Sequence, residues 1–162
     1  TLLQTNFRSN YGCNILQVST PNQVTDMPRA AHVLQADSSI LVIGTKEQFK
    51  MLTAAIEGKQ IDLEQVSNPL SLREFMLHDH TEAPELRLLS LAITVDQHSK
   101  LLGKSSKDAN IRENWRALVI GLERGAYTMT NPNVSLTFEK GDLLGILGKQ
   151  KMMHTLIKEE IL

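Results

Sequence analysis

Residues 6–16 of this 162-residue chain, Asn-Phe-Arg-Ser-Asn-Tyr-Gly-Cys-Asn-Ile-Leu, return as residues 110–120, Asn-Ile-Arg-Glu-Asn-Trp-Arg-Ala-Leu-Val-Ile. The offset of 104 then holds without a gap for about thirty residues more. It pairs Pro28 with Pro132, and Ile40–Gly44 with Leu144–Gly148. A chain that repeats at a fixed offset is built from two copies of one small module. A module of roughly 60 residues is marginal alone, so the copies are expected to pack together or across a dimer. The matched positions read as scaffold, which argues against a single catalytic centre.

The second copy shows the module's plan. Leu86–Val95 has the apolar alternation of a strand, and Leu101–Gly103 is a turn in which Gly103 is free to take positive φ. Ser106–Asn114 is a short polar helix that carries Ile111 and Trp115 towards the core. Ala117–Leu122 is a continuous apolar strand, and Glu123–Ala126 is a turn. Tyr127–Thr130 is a short strand stopped at Asn131-Pro132-Asn133, because proline lacks the ladder donor. Val134–Phe138 alternates, Glu139–Asp142 turns, and Leu143–Leu147 is a buried strand. Gly148 opens a closing helix in which Met152, Met153, Leu156, Ile157 and Ile161 fall at helical spacing.

The first copy follows the same order from its helix onward. Thr45 and Gln48 form a capping-box pattern before the apolar stripe Phe49, Leu52 and Ile56. Thr1 aligns with Ser105, so the counterpart of Leu86–Gly103 is missing, and the chain is expected to be a fragment. The modules are placed at 1–57 and 86–162, with a polar linker at 58–85. Within that linker Leu70–Leu77 is apolar enough to form a strand or a short docked helix, and both options stay open.

Composition excludes several classes. Seventeen basic against eighteen acidic residues give no field for nucleic acid or an anionic membrane. No apolar run approaches the roughly 18–20 residues needed to span a bilayer, and the opening Thr1-Leu-Leu-Gln lacks the regions of a signal peptide. Cys13 is the sole cysteine, so there is no disulfide framework or cysteine metal site. It stands where the other copy has Ala117, the place of a small buried residue in a reducing compartment. His78 and His80, with Asp79 and Glu82, are weak metal candidates: imidazoles two apart converge on one strand face. They fall in the linker, where a solvated loop weighs more, and no cofactor is expected. His32, His98 and His154 are far apart in sequence, and no serine or cysteine sits in a nucleophile elbow. The chain is therefore not expected to be an enzyme. Gly141–Gly148 lacks the G-x-G-x-x-G spacing, and the Rossmann-like start at Ile40–Gly44 recurs as module scaffold.

The succession of strand, Leu101-Leu-Gly-Lys104, a short helix with Asn110-Ile-Arg112, apolar strand, Glu123-Arg-Gly125, Phe138-Glu-Lys-Gly-Asp142, apolar strand and closing helix resembles the RCK C-terminal domain, also called TrkA-C. The resemblance covers about Leu86–Leu162. The first copy is similar but degenerate, with Thr20-Pro21 at the Arg-Gly turn and Ala36-Asp37-Ser38 at the Gly-Asp turn. Tandem copies look like the cytosolic C-terminal tail of bacterial monovalent cation:proton antiporters, or like potassium-uptake regulators. The resemblance implies an α+β fold of two repeated modules, each a small antiparallel sheet flanked by helices. It also implies a homodimer at the cytoplasmic face of the bacterial inner membrane, joined to the transmembrane transport domain of the same polypeptide. There it would gate a Na+ or K+/proton antiporter, or a related potassium transporter, by binding a nucleotide or cyclic dinucleotide effector. The alternative is a soluble small-molecule-sensing domain appended to an enzyme or transcription regulator.

The repeated polar residues are the effector candidates. Asn6, Arg8 and Asn10 match Asn110, Arg112 and Asn114, and an equivalent arginine in each module can hold a phosphate or carboxylate bidentately. In the plainer alternative, which weighs more, the arginine pairs locally and the asparagines cap or turn the helix. Arg124 of the Arg-Gly turn is a further candidate. Trp115 and Tyr11 share a position, where core packing outweighs a role as the floor of a site. Because the second copy keeps every turn signal, an effector is expected there, with the first copy as its packing partner.

Overall fold

The computed structural model describes residues 1–59, 64, 74 and 88–160. Apart from Glu74, the segment Leu70–Leu77 lies outside the described residues, as do the candidates His78 and His80. The chain divides into two compact units, Thr1–Ser71 and Leu72–Leu162.

The first unit runs α1 (Leu2–Thr5), α2 (Phe7–Tyr11), β1 (Asn14–Thr20), β2 (Gln23–Asp26), β3 (Ser39–Ile43) and α3 (Lys46–Ile56). Its antiparallel sheet has the order β2-β1-β3. The second unit runs β4 (Leu88–Thr94), α4 (Ile111–Trp115), β5 (Ala117–Arg124), β6 (Tyr127–Thr130), β7 (Leu143–Lys149) and α5 (Gln150–Glu160). Its antiparallel sheet has the order β4-β7-β5-β6. Each unit is thus a small antiparallel sheet flanked by helices.

The offset read in the sequence holds in the backbone. Adding 104 carries Gln23 to Tyr127, Ser39 to Leu143 and Lys46 to Gln150, the first residues of β2 and β6, β3 and β7, and α3 and α5. The register breaks between Ile15 and Gln17 in one sheet and between Val119 and Gly121 in the other. Beyond β2 and β6, Met27 and Asn131 both turn left-handed, with φ of 46° and 49°. Their amides donate to Leu16 O at 2.6 Å and Ile120 O at 2.8 Å. A shared bulge and a shared left-handed stop make the two hairpins one design.

Helix starts follow the residue chemistry. Thr45 Oγ1 accepts from the Gln48 amide while Gln48 Oε1 accepts from the Thr45 amide, the capping box that the sequence shows. In the second unit Ser105 and Asp108 bond reciprocally, with Ser105 Oγ donating to Asp108 Oδ2 at 2.7 Å and the Asp108 amide donating back at 3.1 Å.

Three local expectations are corrected. The helix expected over Ser106–Asn114 is confined to α4, with turns before it, because Asn110 at φ 50° and ψ 39° cannot continue a right-handed helix. Val134–Phe138 is not a strand. Leu136 N closes a turn on Asn133 O, and the stretch bonds instead to the loop before α4, through Lys107 N to Val134 O and Phe138 N to Lys104 O. Its alternation arises because Phe138 is buried in the core while its neighbours face water. Gly148 lies inside β7 rather than opening the helix. A Cβ there would stand 2.8 Å from Ala117 Cβ and 2.7 Å from Met153 Sδ, so glycine allows β5 and α5 to approach.

The core of the second unit gathers Ile93 and Val95, Ile111 and Trp115, Ala117 and Leu122, Leu144 and Ile146, and Met153 and Leu156. Burying each large aliphatic side chain contributes roughly 1.5–3 kcal/mol. In the first unit one cluster is much smaller: Leu2, Ile15 and Val18, with Phe7, Leu34 and Val42 against them. Cys13 is fully buried there. Among the described residues no helix is long and apolar enough to cross a membrane.

Candidate effector site

The repeated Asn-x-Arg-x-Asn pattern forms α2 and α4 together with the residue before each. Asn6 and Asn110 are left-handed N-caps, with φ of 47° and 50°, and neither side chain makes a capping bond. Asparagine tolerates this region better than most side chains. The first helical turn then closes through Asn10 N to Asn6 O and Asn114 N to Asn110 O, both at 2.8 Å. The second asparagine of each pattern turns back: Asn10 Nδ2 donates to Thr5 O at 3.2 Å, and Asn114 Nδ2 to Ala109 O at 3.3 Å. These amides fasten the helix to the turn before it.

Arg112 is set in that frame. Ile111 and Trp115 bury one side of α4, Asn110 and Asn114 are exposed, and Arg112 is half-buried. Burial pulls the pKa of its guanidinium below the ordinary arginine value; Glu113 acts in the opposite sense and Arg116 in the same one. The group stays charged at neutral pH. A partly dehydrated guanidinium gains more from an anion than a solvated one does, and its fork matches a phosphate or carboxylate. Arg8 is half-exposed at the matching place on α2. On α4 the asparagines lie one turn apart, whereas Arg112, two residues from each, leaves the helix in another direction.

Arg124 lies elsewhere. It ends β5, whose eight residues span about 23 Å, while α4 precedes the other end. Arg124 Nε and Nη2 grip the Asp142 carboxylate at 2.8 and 2.7 Å. Nη1 meets Glu139 Oε1 at 2.6 Å, and Nη2 also reaches Thr137 O at 2.9 Å. Asp142 is fully buried and accepts from the Glu139 amide at 2.8 Å. Burial pushes the Asp142 carboxyl up, but the Arg124 bonds, the Glu139 amide and the Arg124 charge outweigh it and hold it below its usual range. The Asp142 hydrogen bond in turn raises Arg124. With four hydrogen bonds in this clamp, Arg124 closes the Arg-Gly turn onto the Gly-Asp turn. Asp142 and Glu139 were missed as its partners, although the two turn signals that place them were visible in sequence.

Residues 91–160 match the model of the TrkA-C domain family. The second unit is a TrkA-C domain. The first unit lies outside the matched residues. Among solved structures, the chain is similar to the C domain of the potassium transport protein KtrA, solved with cyclic diadenosine monophosphate. The identity is 23%, over 49% of this chain and 93% of that one, with a TM-score of 0.42. The RCK_C domain dimer of S. agalactiae BusR with c-di-AMP is 22% identical over 43% of this chain and 91% of that one, at a TM-score of 0.39. The GsuK RCK domain aligns with 98% of this chain and 59% of its own, at 12% identity and a TM-score of 0.40. No curated protein matches the chain. Within the TrkA-C unit the candidates therefore fall into two places, Asn110, Arg112 and Asn114 on α4 and Arg124 in the clamp.

Proposed function

We propose that this chain is a regulatory and dimerisation region of a monovalent cation transporter, an antiporter exchanging Na+ or K+ for protons or a related potassium transporter, acting at the cytoplasmic face of the membrane. Its TrkA-C unit takes an anionic effector of the nucleotide or cyclic dinucleotide class at α4. The supporting observation is the half-buried, partly dehydrated Arg112 on a helix that recurs in both modules. The chain does no chemistry. An effector that binds one arrangement of the modules better shifts the attached transport domain towards one state by linkage.

Thermal unfolding in the presence of cyclic di-AMP, ATP and NAD tests the effector. A saturable rise in melting temperature with one member of the panel is the expected result, and a flat response to all three overturns it. The transporter is tested by sequencing the whole reading frame and its neighbours. Apolar helices of about 20 residues are expected, whereas a helix-turn-helix or catalytic domain in their place would make the chain a sensor appended to a regulator or enzyme.

A further inference from the structure

The chain's only tryptophan ties α4 to the end of the closing helix. The Trp115 ring is buried in the core of the TrkA-C unit, among the same residues as Met153 and Leu156 of α5. Its polar edge reaches out, and Nε1 donates to Glu159 Oε2 at 3.1 Å, 44 residues away in sequence. A buried indole N–H needs such a partner, and a charged acceptor makes the bond stronger than a neutral one. Glu159 is itself held, because the Lys100 ammonium, on the loop after β4, donates to its backbone carbonyl. The last turn of α5 is therefore fastened to α4 from one side and to the β4 loop from the other.

Among the described residues the first module shows no such tie. Tyr11 stands in place of Trp115, and Ala55 in place of Glu159. Tyr11 instead packs edge-on against Phe7 of its own helix, with ring centroids 5.2 Å apart. The tie belongs to the module that keeps the Arg-Gly and Gly-Asp turns.

We propose that Glu159 is a positioning residue for α4: by accepting from the Trp115 indole it fixes the helix turn that presents Arg112, and so couples the end of α5 to the effector site. The role assigned to α4 rests on the effector reading above; the tie itself does not. Ligand that tightens α4 also tightens the end of α5, and disorder at that end loosens α4.

Glu159→Leu removes the acceptor, while Glu159→Gln keeps a carbonyl oxygen in place. Hydrogen exchange of the Asn114 amide, whose bond to Asn110 closes α4, is read together with Trp115 fluorescence. In Glu159→Leu the Asn114 amide is expected to exchange about fivefold to tenfold faster, the span of one hydrogen bond, with a changed Trp115 emission. Glu159→Gln restores both. The Asn10 amide and the β5 and β7 amides keep their wild-type rates, which separates a positioning effect from a general loss of stability. Unchanged Asn114 exchange in Glu159→Leu overturns the proposal, as does a Glu159→Gln variant that behaves like it. Should cyclic di-AMP fail to bind the wild type, the effector reading falls, while the exchange rates still decide the tie.

Discussion

The two modules share a backbone plan and differ in what fastens it. β7 is buried along its length, flanked by β5 and β4, whereas β3 is only half-covered and leaves Ile40 exposed. At the mouth of the second hairpin, Arg124 and Asp142 lock two turns together. At the same places the first module has Thr20 and Ser38, where Thr20 Oγ1 meets the Gln23 amide and Ser38 Oγ meets Gln35 O. Each of these bonds stays within its own turn. Asp37 takes the left-handed conformation that Gly141 takes, at φ 59° against 91°. The turn geometry survived the loss of its glycine and its clamp. Backbone conformation is thus kept at the Asp37/Gly141 turn, while the Arg124–Asp142 clamp has no counterpart between Thr20 and Ser38.

The clamp offers the largest test of that difference. Asp142→Ala removes the buried carboxylate and its bonds, leaving Arg124 only Glu139 and Thr137 O, and is expected to cost the second unit about 1.5–3 kcal/mol, read by denaturant unfolding through Trp115. Ser38→Ala should stay within about 0.5 kcal/mol. Equal costs would break the comparison. The pH dependence follows from the same carboxyl. Its folded pKa is depressed, so its contribution is complete above the ordinary aspartate value, near pH 4, and is lost as pH falls through the lower folded value. The stability gap between wild type and Asp142→Asn should therefore be constant near neutrality and narrow below about pH 4.

Glycines at the strand ends give a smaller contrast. In Gly148→Ala the new Cβ meets Ala117, Cα included at 3.2 Å, so strand β5 must shift, at about 1–3 kcal/mol. In Gly44→Ala it meets Cys13 Sγ at 2.8 Å and Gln48 Oε1 at 2.9 Å. Those side-chain ends can give way, and the loss should be the lesser of the two. Similar losses would mean that both modules pack this corner alike.

The smallest effect runs the other way. Arg116 holds a left-handed φ of 51° where the first module has Gly12 at 70°. Arg116→Gly relieves that conformation and should raise stability by about 0.5 kcal/mol, net of glycine's added chain entropy. A loss of 1 kcal/mol or more would show that the Arg116 side chain matters more than its backbone.

How far the sequence could be read depended on the range of each interaction. β5 was legible as the apolar run Ala117–Leu122, and the start of α3 as Thr45 with Gln48, because both signals act within a few residues. The repeat itself announced the paired helices around Arg8 and Arg112. What escaped was non-local or conformational. Arg124 looked like a free turn cation because Asp142 lies 18 residues away, and the partner of Trp115 lies 44 away. Asn110 matched a helical position in pattern, yet its left-handed φ starts the helix later. Val134–Phe138 alternated like a strand because Phe138 is buried in the core while its backbone bonds to a loop, an arrangement that period alone cannot tell from a sheet.

The most direct test of the effector site is a calorimetric titration of cyclic di-AMP into wild type, Arg112→Ala and Arg8→Ala. Saturable binding that Arg112→Ala weakens by at least tenfold and Arg8→Ala leaves within about twofold is the predicted outcome, one charge-assisted contact being worth roughly 1.5–3 kcal/mol. Binding that survives Arg112→Ala unchanged, or that depends equally on Arg8, would contradict it.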